Sequence, residues 1–135
     1  MKSTRTPIRG AFSHNMSTST TSAIQATLAA LAGNQLPIVS NIVTIPRDGF
    51  YKMSIDASYI NAAGSNYYAQ VQVNGATQLL GSGNQNVVAS APVSSESRIV
   101  WCKAGDRVQV VSAHNEGSAV VRSVVGNFFI EEIVS

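Results

Sequence analysis

From Phe50 to Ile60 the residues alternate in character: Tyr51, Met53, Ile55, Ala57 and Tyr59 occupy one phase, and Phe50, Lys52, Ser54, Asp56 and Ser58 the other. Successive side chains of an extended strand point to opposite faces, so this stretch builds a strand buried on one side. The preceding Pro46-Arg47-Asp48-Gly49 supplies the proline and glycine of a tight turn, which fixes where the strand begins.

The same punctuation recurs along the chain. From Leu36 onward, turn signals come at intervals of about ten residues, the rhythm of an all-β sandwich. Pro37 to Ile45 is expected as a strand, Tyr51 to Ile60 as the next, and Tyr67 to Val73 as a third, closed by the hairpin dipeptide Asn74-Gly75 and followed by Thr77 to Leu80. Asn61 to Asn66 and Gly81 to Asn86 are expected as loops. Val87 to Val93 is set to pair with Glu96 to Cys102, Gly105-Asp106 turns into Val108 to Ala113, and His114 to Gly117 turns into Ser118 to Val125. Gly126-Asn127 then precedes a last strand, Phe128 to Val134.

Upstream, Gly10 to Ser13 opens a first strand and Ser13 to Ser22 reads as a polar loop. Ser22 to Gly33 fits two readings. One is a short helix with Ile24, Leu28 and Leu31 at helical spacing, Ser22 as N-cap and Gly33 as stop; the other is an irregular strand pair. Short connections and a single apolar face per strand predict an all-β fold, an antiparallel jelly-roll sandwich of two sheets. No repeat of fixed period is present, which disfavours propellers and solenoids.

With 135 residues the chain suits one domain, residues 10–135, behind a flexible N-terminal arm, residues 1–9. Charged residues make up only 12% of it, which suits a protein packed against copies of itself or inside a larger assembly. The net charge of +2 hides an asymmetry: Lys2, Arg5 and Arg9 stand near the N-terminus without an acid, leaving six bases against seven acids in the rest. This arm is either simply disordered or a tether that orders on a partner surface or touches nucleic acid without sequence preference. Cys102 is the single cysteine and is expected to be a buried structural thiol. No apolar run has the length of a secretory signal or a membrane span, so the expectation is a protein made in the cytoplasm without a leader.

Taken in order, Ala11-Phe12-Ser13, Pro46-x-Asp48-Gly49-x-Tyr51-x-Met53, Val71-x-Val73-Asn74-Gly75, Val100-x-Cys102-x-x-Gly105-Asp106-x-Val108-x-Val110 and Phe128-x-Ile130 carry a resemblance. The chain is similar to the globular head of the first complement component, which shares one jelly-roll superfamily with tumour necrosis factor. Gly105-Asp106-x-Val108 after an apolar strand is the most specific match, and the resemblance spans nearly all of residues 10–134. Met53 stands where the family usually has Phe and Cys102 where it usually has Leu, and no Gly-x-y collagen stalk precedes the domain. The resemblance implies a compact homotrimer with its aromatic-bearing strands packed around a threefold axis. It implies Tyr51 and Met53 inside the sandwich, faced by Val108 and Val110 from the other sheet.

The residue inventory offers little chemistry. His14 and His114 are a hundred residues apart, and with one cysteine they give no zinc spacing. Ser112, His114 and Asp106 supply the residue types of a hydrolase triad, but no nucleophile-elbow motif accompanies them. Glu131 and Glu132 are adjacent on a strand and so face opposite sides rather than one substrate. The loop Gly81 to Asn86 lacks the Lys-Ser/Thr of a phosphate loop, and no aspartate cluster has the ligand count of a calcium site. The chain is therefore expected not to be an enzyme and to use no cofactor or metal.

Two functions fit. The first is a structural virion protein, since small jelly rolls of this kind resemble bacteriophage head-decoration proteins and fibre or tail knobs; Lys2, Arg5 and Arg9 would anchor it to capsid or tail proteins. The second is a receptor-binding module recognising host-surface glycan or protein through Asn61, Asn66, Tyr67, Asn84 and Asn86. In that reading Tyr59, Tyr67 and Tyr68 either form a sugar-stacking platform or are core and interface residues. Neither reading involves a membrane or a specific nucleic acid.

Overall fold

A computed structural model describes residues 5–18, 21–60, 65–85, 94–114 and 121–134. Eleven strands form two sheets among them: β1 (Arg9–Thr18), β2 (Ile24–Gln25), β3 (Thr27–Ala30), β4 (Ile38–Val39), β5 (Ile42–Thr44), β6 (Gly49–Ile60), β7 (Ser65–Val73), β8 (Ala76–Gln85), β9 (Ser94–Cys102), β10 (Arg107–His114) and β11 (Arg122–Glu132). The five-stranded sheet runs β3-β1-β11-β6-β9; the six-stranded sheet runs β4-β5-β10-β7-β8, with β2 also on β10. Every pairing is antiparallel. The all-β jelly-roll expectation holds.

The alternation that opened the argument does what its period requires. Tyr51, Met53, Ile55 and Ala57 on β6 are buried, as are Val108 and Val110 on β10 of the opposite sheet and Phe128 and Ile130 on β11. Phe12 stacks on Phe128 with ring centroids 5.9 Å apart, closing the first strand onto the last. Fully burying a side chain of this size contributes about 1.5–3 kcal/mol, so two inward rows of such residues hold the sheets together.

Turn chemistry sets the register. Asn74 (φ 52°) and Gly75 (φ 85°) are both left-handed, the geometry of a two-residue hairpin between β7 and β8. At Gly105 (φ 93°) the chain turns so that Gly105 N–H donates to the Ile45 carbonyl and Ile45 N–H to the Asp106 carbonyl, both at 2.8 Å. Asp106 then caps this turn, its Oδ2 accepting from Lys103 N–H at 2.8 Å.

Several sequence expectations are corrected. Of the two readings of Ser22 to Gly33, the strand pair stands and the helix falls: Ile24 and Leu31 are 37% and 36% exposed, leaving Ala26 and Leu28 as the buried residues. The segment instead crosses between the sheets, β2 pairing with β10 and β3 with β1, and Ala26 N–H donates to the Val110 carbonyl at 2.7 Å. Pro37 to Ile45 is not one strand but the hairpin β4–β5, turned at Ser40 (φ 52°) and Asn41 (φ 61°). Gln25 Nε2 donates to both of their carbonyls at 3.2 and 3.3 Å, which holds this turn without a glycine.

The expected polar loop from Ser13 is strand β1 as far as Thr18, because its inward positions, His14, Met16 and Thr18, are buried and the two polar ones are bonded. Gly81 to Gln85 continues β8 rather than forming a loop. Gly126-Asn127 is not a turn: β11 runs through it, and β1 pairs continuously alongside. His114 ends β10 at 2% exposure, its Nε2 3.0 Å from the Thr18 carbonyl oxygen, and the rest of the turn expected from His114 to Gly117 lies outside the described residues. The expected strand Val87 to Val93 lies outside the described residues.

Candidate assembly surface

One end of the sandwich shows how the chain fixes its N-terminal segment. Glu132, the inward residue closing β11, has a side chain with no exposed surface. Arg47, in the turn before β6, donates to it twice, Nε to Oε2 at 2.7 Å and Nη2 to Oε1 at 2.6 Å, the bidentate geometry that makes guanidinium–carboxylate pairs strong. Arg5 adds a contact at 3.1 Å, Ile8 N–H donates to Oε1 at 3.3 Å, and Glu132 N–H donates back to the Ile8 carbonyl at 2.9 Å. The hydrogen bonds from Arg47 hold the Glu132 carboxyl below its usual range against the opposing effect of burial. Tyr51 joins the cluster by donating to the Arg47 carbonyl at 2.7 Å.

Of the expected anchoring residues, Arg5 therefore lies on Glu132, and Arg9 belongs to β1 and pairs with Glu131 at 3.5 Å. Lys2 lies outside the described residues. Of the expected ligand residues, Asn61 and Asn86 lie outside them as well. Asn66 and Asn84 are not in loops but on β7 and β8, where they are register partners. Of the two readings of Tyr67, ligand platform or core residue, the core one holds: it is 2% exposed, because inward positions on β7 are Tyr67, Ala69, Val71 and Val73. Burial raises the pKa of its hydroxyl. Ser112, His114 and Asp106 do not make a site, since Ser112 and His114 are buried and Asp106 is spent on its turn. Among the described residues no group of three or more His, Cys, Asp or Glu side chains could hold a metal ion.

What sequence reasoning left unassigned is the outer face of the five-stranded sheet. Cross-strand register places Phe50 opposite Trp101, Lys52 between Glu131 and Ile99, and Ser54 between Phe129 and Ser97. Phe129 in turn faces Ala11, and Glu131 faces Arg9. Phe50, Ile99, Trp101, Phe129 and Ile133 are 52%, 57%, 52%, 42% and 45% exposed. Phe50 and Trp101 meet edge to face with centroids 5.0 Å apart, and Ile133 N–H donates to the Phe50 carbonyl at 2.9 Å, so these three sit together, while Phe129 lies on the same face beyond Lys52 and Glu131. Around Phe129 the neighbours Ala11, Ser54 and Ser97 are small, so the face is flat enough for another surface to approach closely. A signal for it was present: Phe50 sits on the polar phase of its strand, and Phe128-Phe129 are adjacent, so one of them had to face outward.

The fold is a jelly roll similar to those of tumour necrosis factor-like and complement globular domains. The chain superposes on Eiger TNF from S. frugiperda with a TM-score of 0.68 at 12% identity, covering 97% of this chain and 95% of that one. It superposes on murine APRIL with a TM-score of 0.61 at 10% identity, covering 93% and 99%. For the globular domain of zebrafish complement 1qA the TM-score is 0.54 at 17% identity, covering 89% and 96%. No family model matches the sequence, and no curated protein matches it.

Proposed function

We propose that this chain is a self-assembling structural protein, a homotrimer built through the outer face of the five-stranded sheet, which decorates a bacteriophage capsid or forms a fibre or tail knob. The observation that carries this reading is that one sheet face exposes the Phe50–Trp101 pair, Ile99 beside it and, across the row of Lys52 and Glu131, Phe129. Aromatic residues are enriched in protein interfaces, and contiguous apolar surface on a soluble domain marks an interaction site. The jelly-roll neighbours support it as a fold suited to self-association. Low charge content supports placement in a larger particle; since Arg5 and Arg9 pair with Glu132 and Glu131 of the same chain, contact with capsid or tail proteins would fall to Lys2 and its neighbours.

The test is sedimentation equilibrium at micromolar concentration, with Phe129→Asp as the variant. The wild-type chain is expected as a trimer and the variant as a folded monomer. A monomeric wild-type chain would sink the assembly reading. Electron microscopy of the particle with and without the protein then tests placement, the expected result being density at the shell or at a fibre tip.

A further inference from the structure

The outer face of the six-stranded sheet carries a different chemistry. Starting at the Asn74-Gly75 hairpin, its outward residues are Arg107 on β10, then Gln109 beside Gln72 on β7, then Val111 beside Gln70, then Tyr68. The amides are tied to one another: Gln109 Nε2 donates to Gln72 Oε1 at 3.1 Å, and Gln72 Nε2 to Gln70 Oε1 at 3.2 Å. Thr77 Oγ1 donates to the same Gln70 oxygen at 3.2 Å. All three glutamines are half-buried. The bonds run in one sense, so among the described residues the row keeps an unspent amide oxygen at Gln109 and an unspent amide nitrogen at Gln70.

At its Gln109 end the row opens into a depression of about 460 Å³ lined by Ile42, Asn74, Gly75, Arg107 and Gln109. The Arg107 side chain is exposed, and its guanidinium makes no hydrogen bond or ion pair among the described residues. The acid beside it is already committed: Asp106 Oδ1 accepts from Asn74 Nδ2 at 3.0 Å and its Oδ2 from Lys103 N–H at 2.8 Å.

We propose that this row binds an acidic saccharide, its carboxylate on Arg107 and its hydroxyls on the amides of Gln109, Gln72 and Gln70. A guanidinium fork matches a carboxylate in two parallel bonds. An amide offers both a donor and an acceptor, as a sugar hydroxyl requires, and ordered amides bind without the cost of fixing free side chains. Ile42, Val111 and Tyr68 supply the apolar surface for the C–H faces of the rings. From Arg107 to the Gln70 step is about 14 Å at a rise of ~3.4 Å per residue, the length of a short oligosaccharide rather than one sugar. A simple anion needs Arg107 alone and leaves the amide row unused. The face lies across the sandwich from the aromatic patch, so it stays open when that patch is covered.

The test is a titration of the full chain, followed by the side-chain amide NMR signals of Gln70, Gln72 and Gln109. The probes are a glucuronyl-glucose disaccharide, its neutral counterpart cellobiose, and acetate. Saturable shifts are expected with the acidic disaccharide, weaker ones with cellobiose and none that saturate with acetate. Arg107→Gln should weaken the acidic disaccharide by about tenfold and leave cellobiose unchanged, and Gln72→Leu should weaken both. Unchanged melting curves and sedimentation of the variants separate a binding defect from unfolding or loss of assembly. Acetate shifting these signals as strongly as the disaccharide, no saturable shift at all, or an Arg107→Gln protein that binds like wild type would each overturn the proposal.

Discussion

His14 on β1 and Gly126 on β11 are register partners, and the imidazole occupies the space that a side chain at Gly126 would fill. A Cβ built at Gly126 would lie 2.7 Å from His14 Nε2 and would overlap the Asp56 carbonyl oxygen. At this point β6 and β11 exchange no ladder pairing across Gly126-Asn127. His14 Nε2 donates to the Asp56 carbonyl at 2.7 Å and Asn127 N–H to Asp56 Oδ1 at 2.9 Å, so side chains supply the bonds that the backbone ladder omits.

Gly126→Ala should therefore destabilise the protein by about 3 kcal/mol, the upper end of the usual range for forcing a group into a closely packed site. Urea unfolding measures it. Gly33→Ala, where a Cβ meets nothing within 4 Å, carries only the cost of a left-handed backbone and should shift the midpoint less. Equal shifts would mean that the His14 contact is not what requires glycine.

Burial pushes the His14 pKa below 6.5, and its Nδ1 has no partner among the described residues. The unfolded chain therefore binds a proton here more readily than the folded one, so stability rises with pH between the folded value and 6.5 and is flat above it. Melting temperatures should fall as pH drops below about 6.5. His14→Gln keeps an N–H for Asp56 and removes the titration, so its melting temperature should not change in that window.

A second acid loss is expected at lower pH. Glu132 and Asp106 both have carboxyls held below their ordinary values of 4.5 and 3.8, mainly by the Arg47 hydrogen bonds and by the Lys103 N–H. Depressed acids stabilise the fold above their unfolded pKa and lose that contribution as pH falls through the folded one. Glu132→Gln leaves Arg47 facing a neutral amide and should lower the urea midpoint far more than Arg5→Gln, because Arg5 is a half-exposed partner at 46% and Glu132 a fully buried one. The same variant should also lose part of the acid transition.

Cys102 is 0% exposed, and burial pushes its thiol up to about 11, so at neutral pH it is held as the unreactive thiol. A thiol reagent should modify the native protein only at the rate of unfolding and the urea-denatured protein at once. Rapid modification of the native chain would place Cys102 at the surface.

How much of this was legible depended on whether a residue's partner was local. Tyr51 and Met53 announced a shared strand face by period, their place in the sandwich opposite Val108 and Val110 came through the family resemblance, and Asn74-Gly75 announced a hairpin by dipeptide. Gly126-Asn127 carried the same turn-like chemistry but marks a gap filled from β1, more than a hundred residues earlier in the chain, which no local pattern encodes. The β4–β5 turn was missed because Ser40-Asn41 lacks a glycine and leans on Gln25. Glu132 was placed correctly as facing away from Glu131, yet its partner Arg47 lies 85 residues away in the chain. The aromatic patch escaped assignment because its members come from three strands, β6, β9 and β11, and become neighbours only through their register.

Trp101 offers a direct readout of that patch. It is the single tryptophan, 52% exposed, and set edge-on against Phe50. In a lone chain its indole faces water, whereas in an assembly built on this face it is covered by a neighbouring copy. Its emission should therefore be blue-shifted at high protein concentration and move to longer wavelength on dilution, with a midpoint that matches dissociation by sedimentation. Phe129→Asp places a charge at the centre of the flat region, and a desolvated charge without a partner is costly. That variant should show the long-wavelength spectrum at every concentration while keeping its melting transition. An emission maximum that does not move on dilution, in a chain that does dissociate, would put the interface elsewhere on the molecule.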